Sequence, residues 1–203
     1  MTGQPSLAIR SLTGDDARRH LDDVAALRIA VFREWPYLYA GDMGYERDYL
    51  AAYAASPRSV FVLAFDGASV VGASTGLPLA DDAPAFQAPF LARGEDASRV
   101  FYFGESVLLP AYRGRGIGQA FFDRREAHAR RLGGFDWTAF AAVDRAADDP
   151  RRPAGHRGHE SLWVRRGYVR RPELSMQLRW TETGAGECAH SLTFWTRVLE
   201  PAA

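Results

Sequence analysis

The chain has 203 residues, 25 basic side chains against 25 acids, 47% hydrophobic residues and one cysteine, Cys188. That length suits a single domain over residues 1–203 with its own core, and the neutral balance offers no general attraction to nucleic acid or to a membrane surface. A lone cysteine excludes an intramolecular disulfide, no run approaches the ~20 apolar residues that cross a bilayer, and the N-terminus is unlike a signal peptide, so the expectation is a soluble, cytoplasmic protein.

In chain order, Leu7 to Leu12 alternates apolar and polar residues as a short strand does. Thr13 offers a helix N-cap, and Ala17 to Phe32 follows as a helix whose stripe is Leu21, Val24, Ala25, Arg28 and Ile29. Pro36 and Gly41 interrupt an aromatic, acidic stretch before a helix around Tyr45 to Ala55. Val60 to Phe65 and Ser69 to Leu77 flank Asp66-Gly67 as a hairpin. Residues 78 to 98 are expected to be irregular. Val100 to Leu109 is predicted as one strand, Gly118 to Leu132 as a helix and Trp137 to Val143 as a strand. A polar loop then leads to a short helix, His159 to Arg166, that stops at Gly167, and Glu173 to Trp180 and Ser191 to Leu199 are the last strands. The sum is a mixed α/β (α+β) domain.

The densest signal is the glycine run after Pro110. A glycine loop that feeds a helix aims free N–H groups at one point, backed by the positive end of the helix dipole, and phosphate is the usual occupant. The nucleotide P-loop requires Gly-Lys-Ser/Thr, and the chain has no lysine. The dinucleotide fingerprint begins with Gly114 and Gly116 but meets Gln at 119. Arg113-Gly114-Arg115-Gly116-Ile117-Gly118 instead matches R-x-x-G-x-G, between an apolar strand and an amphipathic helix.

With that loop, and with Leu162-Trp163-Val164-Arg165-Arg166-Gly167-Tyr168 as a second match to an L-Y-x-x-x-G-F segment, the chain resembles the GNAT (Gcn5-related N-acetyltransferase) superfamily over residues 7 to 199. The resemblance implies a central mixed, mostly antiparallel sheet of about six to seven strands flanked by helices. Its fourth and fifth strands would splay around the arm of acetyl-CoA, the acyl donor. It further implies that Ser106, Val107 and Leu108 pair with the pantetheine arm, and that Gly114, Arg115, Gly116, Ile117, Gly118 and Gln119 supply amides to the pyrophosphate. Arg113 and Arg115 add charge there, and the Leu108 N–H faces the developing oxyanion.

Amine acylation needs a base and an acid. Glu105, an acid inside the apolar run FYFGESVLLP, is the candidate base, with an ion pair to an arginine as the alternative. Trp163 stands where many relatives have a tyrosine acid; it is assigned to packing on the cofactor arm or on the core, which leaves Tyr168, His156 and His159 as acid candidates beside protonation of the thiolate by solvent, with His156 aligned to a cofactor-binding position. The acceptor site is assigned to Trp35, Tyr37, Tyr39, Asp42, Tyr45 and Glu46, aromatics and acids suited to a cationic amine. His20 and His128 are expected on helix surfaces, and the arginine pairs at 151/152, 165/166 and 170/171 in solvent. Scattered histidines and one cysteine give no metal spacing. The expected function is acetyl-CoA-dependent N-acetylation of a small-molecule or peptide amine, with an acyl-CoA-binding sensor as the alternative and no nucleic-acid or membrane partner. Phe194 and Trp195 point to opposite faces of the final strand, which is offered as the contact of a homodimer.

Overall fold

The computed structural model describes residues 7–200. The strands are β1 (Leu7–Leu12), β2 (Val60–Asp66), β3 (Ser69–Pro78), β4 (Val100–Tyr102), β5 (Ser106–Leu108), β6 (Trp137–Val143), β7 (Val169–Glu182) and β8 (Gly186–Val198). The helices are α1 (Gly14–Arg18), α2 (Leu21–Phe32), α3 (Met43–Ala55), α4 (Pro84–Leu91), α5 (Ile117–Leu132) and α6 (Glu160–Arg165). One sheet runs β1-β2-β3-β4-β6-β8-β7, with β5 also on β3. All its pairs are antiparallel except β4 with β6.

Strand alternation builds two apolar layers. Phe61, Leu63 and Phe65 of β2 face a core completed by Val24 and Leu27 of α2, Leu50 and Tyr53 of α3 and Phe90 of α4. Val60, Val62 and Ala64 face the other core, with Phe121 and Phe122 of α5, Phe140 and Tyr168. Phe194 and Trp195 of β8 enter opposite cores and are both buried. β8 lies between β6 and β7, so the final strand has no free edge and neither aromatic is available for a dimer contact there.

Several elements differ from the sequence expectation. The first helix is two, because the chain turns at Arg19 and His20, and Thr13 makes no side-chain cap bond. Residues 78–98 contain α4, started by Pro84 at a position where proline's missing N–H costs nothing. The β7–β8 hairpin is longer than expected and begins at Val169.

The most consequential difference is in the strand expected over residues 100–109, which is broken in two. At the break, Gly104 N donates to Thr75 O (3.2 Å), and Glu105 O accepts from Thr75 N (3.2 Å). Two residues therefore oppose one, a β-bulge. It turns the expected seven strands into eight. Arg125 of α5 pins this bulge from beneath, donating from Nη1 to Glu105 O (3.1 Å) and Thr75 O (3.2 Å) and from Nη2 to Ser106 Oγ (2.9 Å). Its guanidinium lies 4.1 Å from the Phe103 ring, and burial brings its pKa down to about 10.

His128 is buried on α5, not on the surface: Nε2 meets Arg58 O at 2.9 Å and Nδ1 meets Arg131 Nη2 at 2.6 Å. One nitrogen must donate and the other accept, which fixes a neutral ring. Burial holds its pKa below the ordinary 6.5, partly countered by the Arg58 carbonyl. A base with a lowered folded pKa takes up a proton on unfolding, so its contribution is whole above about pH 6.5 and is lost as pH falls through the folded value. His128→Gln is expected to flatten the loss of urea midpoint between about pH 7 and 5; an unchanged slope in parallel urea titrations would remove His128 from that effect.

Candidate functional site

The bulge sets up a wedge. Phe103 N donates to Ala139 O (2.8 Å), and pairing between β4 and β6 then ends at Tyr102 and Ala139. Beyond that point β5 stays with β3 and β6 with β8, so the two strands part. Leu109 N donates to Val71 O (3.0 Å), which with Thr75 N to Glu105 O sets the phase of the β3–β5 ladder. The N–H and C=O groups of Ser106 and Leu108 consequently point away from β3, into the wedge, while those of Val107 are taken by β3. On the far side, the bond from Asp144 N to Ser191 O (2.8 Å) sets β6 against β8 so that Ala141 and Val143 present their backbone to the same wedge. Two open strand edges face each other across it.

The wedge runs into the glycine loop. Gly114 (φ 77°) and Gly116 (φ 79°) hold left-handed conformations, and Gly116 caps α5. A side chain at 114, 116 or 118 would meet no protein atom within 4 Å, so these positions open outward. Among the described residues, the backbone N–H groups from Gly114 through Gln119 have no acceptor in the protein. Six consecutive free donors lie at the positive end of a sixteen-residue helix, the setting in which backbone amides can receive an anion. Arg113 donates to Leu108 O (3.2 Å) and pairs with Glu34 (3.0 Å), while Arg115 bonds Ala111 O (3.0 Å) and lies over the Tyr112 ring.

Glu105, the second residue of the bulge, is 5% exposed and meets Nη1 of Arg28 at 2.6 Å. Arg28 also donates through Nε to Glu46, which is fully buried. The guanidinium is sandwiched near the rings of Tyr49 (4.3 Å) and Phe32 (5.0 Å). Burial alone would lower the Arg28 pKa, but Glu105, Tyr49 and Glu46 reverse that and raise it, so it stays charged. Burial pushes the Glu105 carboxyl above its ordinary value of 4.5, against the pull of Arg28. One cation thus faces two carboxylates, and among the described residues Glu105 Oε1, Glu46 Oε1 and Thr75 Oγ1 have no partner.

The six residues expected to line the acceptor side divide. Glu46 joins the Arg28 cluster, and burial and Glu46 together raise the pKa of Tyr39. The Tyr37 ring packs between Phe32 (4.4 Å) and Trp180 (5.8 Å), and Trp35 lies 6.3 Å from His156 with Arg145 above it. Asp42 instead caps α3, its Oδ1 accepting from Tyr45 N at 2.8 Å, and the Tyr45 ring is 59% exposed.

The loop 35–40 is clamped by the tip of the β7–β8 hairpin. Thr183 N donates to Leu38 O (2.8 Å), Ala40 N to Thr181 O (2.8 Å), and Trp180 Nε1 to Tyr37 O (3.0 Å). Buried Glu182 takes both Arg145, which also reaches Pro36 O (2.7 Å), and Arg151 (2.6 Å). Arg151 is therefore a tie and not a solvated pair member, and Arg166 likewise bonds Asp123 and Glu126.

Tyr168 meets a setting other than the one expected for an acid, whereas Trp163 takes the core-packing alternative. The Tyr168 hydroxyl, 2% exposed at the residue level, is bonded to Thr138 (2.8 Å) and Glu126 (3.3 Å) inside the α5-side core, and burial raises its pKa. An acid held that firmly and that far from water is poorly suited to serve a departing thiolate. Trp163 packs on Phe140 (4.9 Å) and Trp195 (5.1 Å). His159 is held below the ordinary imidazole value by the protein around it and by Arg113, although part of its ring is exposed.

Sequence reasoning gave no role to Arg28, Thr75, Tyr49, Tyr53 or Arg125. The signal for Arg28 was present: a charge on an apolar helical stripe. Tyr49 and Tyr53 also sit four apart on one helix face, while Arg125 looks like any charge of DRREAHAR. Among the described residues no group of His, Cys, Asp and Glu could hold a metal ion, and no helix is long and apolar enough to cross a membrane.

A family model for the acetyltransferase (GNAT) family matches residues 26–154. The chain belongs to that family. No curated protein matches it. Among solved structures, a ribosomal-protein-alanine N-acetyltransferase from Brucella melitensis is similar at 15% identity and TM-score 0.61, covering 95% of this chain and 99% of that one. An N-acetyltransferase from Staphylococcus aureus Mu50 is similar at 12% identity and TM-score 0.61, covering 96% and 99%. A protein from Salmonella typhimurium described as an acetyltransferase, solved with its cofactor acetyl-CoA, is similar at 14% identity and TM-score 0.58, covering 97% and 96%. At these identities the likeness is one of fold, and it extends over nearly the whole GNAT chain in each case.

Arg28→Met leaves two carboxylates buried without their cation. A loss of about 3–5 kcal/mol is expected in urea unfolding, with much of it recovered in a variant that also carries Glu46→Gln; equal stability of Arg28→Met and the parent would show that the cluster is not holding the core.

Proposed function

We propose that this chain transfers an acetyl group from acetyl-CoA to a primary amine of a small molecule or peptide, by direct attack within a ternary complex. The observation that carries this reading is the wedge between β5 and β6, open on both edges, that leads into six unpartnered amides at the start of α5. An extended pantetheine arm carries amide groups that match such edges, and the diphosphate beyond it matches the cradle those amides form. The family to which the chain belongs supports the same donor.

The Leu108 N–H points into the wedge, where it can donate to the thioester oxygen as negative charge gathers there; one such donor is typically worth about 2.7–4 kcal/mol. The amine nitrogen forms its bond to the carbonyl carbon, the carbon–sulfur bond breaks, and the electron pair leaves on sulfur. Glu105, its pKa raised by burial, takes the proton that frees the cationic amine's lone pair, directly or through a water, and the second N–H proton, lost as the amide forms, goes to solvent water. The thiolate, with an ordinary thiol pKa of about 8.5, takes its proton from solvent, since the Tyr168 hydroxyl is committed elsewhere. The excess of carboxylate over guanidinium at Arg28, Glu46 and Glu105, ringed by Tyr37, Tyr39 and Tyr49, supports an amine that arrives as a cation.

Calorimetric titration with acetyl-CoA is expected to show one site, and Gly116→Trp to abolish it by filling the cradle. Retained binding in that variant would mean that the glycines only make a turn. Thiol release screened over polyamines, amino acids, aminoglycosides and peptides is expected to pick out one amine class; binding with no turnover on any of them would favour an acyl-CoA sensor. Glu105→Gln is expected to lower kcat by roughly a hundredfold with acetyl-CoA affinity unchanged, and full activity across pH in that variant would remove Glu105 from the chemistry.

A further inference from the structure

Arg28 divides its donors between two acids. Its Nε donates to Glu46 Oε2 and its Nη1 to Glu105 Oε2 (2.6 Å), so each carboxylate is held by one oxygen. Among the described residues the other oxygen of each, Oε1, has no partner, although both side chains are buried. A guanidinium that meets a single carboxylate commonly takes both of its oxygens with two parallel N–H bonds. Here the second acid stands in the way. Glu46 arrives from α3, on the far side of Arg28 in the chain of contacts that ends at Glu105.

That sharing bears on the chemistry of Glu105. An opposite charge nearby favours the carboxylate and a like charge favours the neutral acid. Burial is the main influence that raises the Glu105 carboxyl; Arg28 and, more weakly, Arg125 pull it down, and Glu46 pushes it up. Arg125 is spoken for, its Nη1 bonded to the Glu105 and Thr75 carbonyls. The other titratable groups that face Glu105 are Tyr37 after α2, Tyr49 and Tyr53 of α3, and Asp82 just past β3, none of them a cation. Tyr39 faces Glu46. Arg28 is thus the cation bonded to the Glu105 carboxylate, and Glu46 is the acid that shares it.

We propose that Glu46 is a positioning residue for the transfer: by sharing the Arg28 cation, it leaves Glu105 with one oxygen unpaired and a charge not fully matched, ready for the amine's proton. The inference rests on the N-acetyltransferase reading above, with Glu105 as its base. An N–H bond of the ammonium breaks, an O–H bond forms at Glu105 Oε1, and the electron pair stays on nitrogen. Arg28 keeps its charge and its bonds to Glu105 Oε2 and Glu46 throughout, and Glu105 gives the proton to water before the next turnover. With Glu46 neutral, the whole Arg28 charge would fall to Glu105, which would then hold a proton less readily.

The first test is a carbon-13 NMR titration of the side-chain carboxyls in the whole chain, with the Glu105 signal assigned by its loss in Glu105→Gln. Glu46→Gln removes the charge but keeps a carbonyl that can accept from Arg28 Nε, so the fold has the same bond to make. In that variant the Glu105 midpoint is expected to fall by about one pH unit, whereas Glu46→Asp, which keeps the charge, should hold it near the parent. The second test is kcat/KM for thiol release against pH, with the amine that the screen finds fastest; this ratio reports groups of the free enzyme. Glu105 is a base only as the carboxylate, so its acid limb should move to lower pH with the midpoint in Glu46→Gln. The plateau above the limb should fall, because a weaker base removes the proton less well. An unmoved midpoint in Glu46→Gln, or an equal fall in Glu46→Asp, would overturn the role of Glu46 and leave the acetyltransferase reading standing. A moved midpoint beside an unmoved acid limb would overturn Glu105 as the base, and the part of Glu46 with it. A moved midpoint in a protein that releases no thiol with any amine would overturn the acetyltransferase reading itself, and with it any part for Glu46 in catalysis.

Discussion

Arg28 sits inside the protein between two carboxylates with one positive charge to divide between them. Glu46 comes from the next helix and Glu105 from the middle of the sheet, so a single guanidinium ties α2, α3 and the bulge into one unit. Removing any one member leaves an uncompensated charge away from water, which is why such a cluster fixes geometry more firmly than its net energy suggests. The aromatic groups on that side of the sheet are arranged around it. Tyr49 and Phe32 stack on the guanidinium, and the loop that carries Trp35 to Tyr39 leaves the end of the same helix.

The second constraint is the bulge, and the two meet at Glu105. A continuous strand from Val100 to Leu109 would pair with β6 along its whole length and leave no room between them. Two residues set against Thr75 change the phase of the backbone, so that β4 closes the sheet while β5 leaves it open. Arg125 holds the distorted backbone from the α5 side, taking carbonyls that a regular ladder would have used. The wedge is thus made by withholding hydrogen bonds from the protein's own strands. The ion cluster on one face of the sheet and the buried arginine on the other keep that arrangement from relaxing.

Much of this was legible in the sequence. Six of the seven expected strands, the D-G hairpin and α5 fall where alternation, turn residues and helical period put them, and the glycine loop does leave free amides at the start of α5. The break at Gly104 was not legible, because an apolar run such as FYFGESVLL satisfies a strand pattern throughout and a bulge is decided by what lies opposite. Helix α4 was hidden because alanine and proline dominate its composition, and tertiary packing of Phe90 supplies what periodicity did not show. Arg28 and Glu105 were each visible as a charge in an apolar pattern, 77 residues apart. Only the fold shows that each is the other's reason for being there. Composition alone does not separate Asp42 and Tyr45 from their neighbours, although one caps a helix and the other lies in solvent.

The clamp on residues 35–40 carries a consequence of its own. The carbonyls of Pro36, Tyr37 and Leu38 are already taken by Arg145, Trp180 and Thr183, and Glu182 beneath them is satisfied by two arginines. A loop whose backbone is committed in advance has little disorder left to lose when a ligand arrives, so the entropy of shaping that wall is spent during folding and not at each encounter. On the function proposed above, selection among acceptors would then fall to rejection by a wall of fixed shape. A ligand that does not fit finds no alternative loop conformation to reward it, and a small acceptor can be held with few contacts of its own.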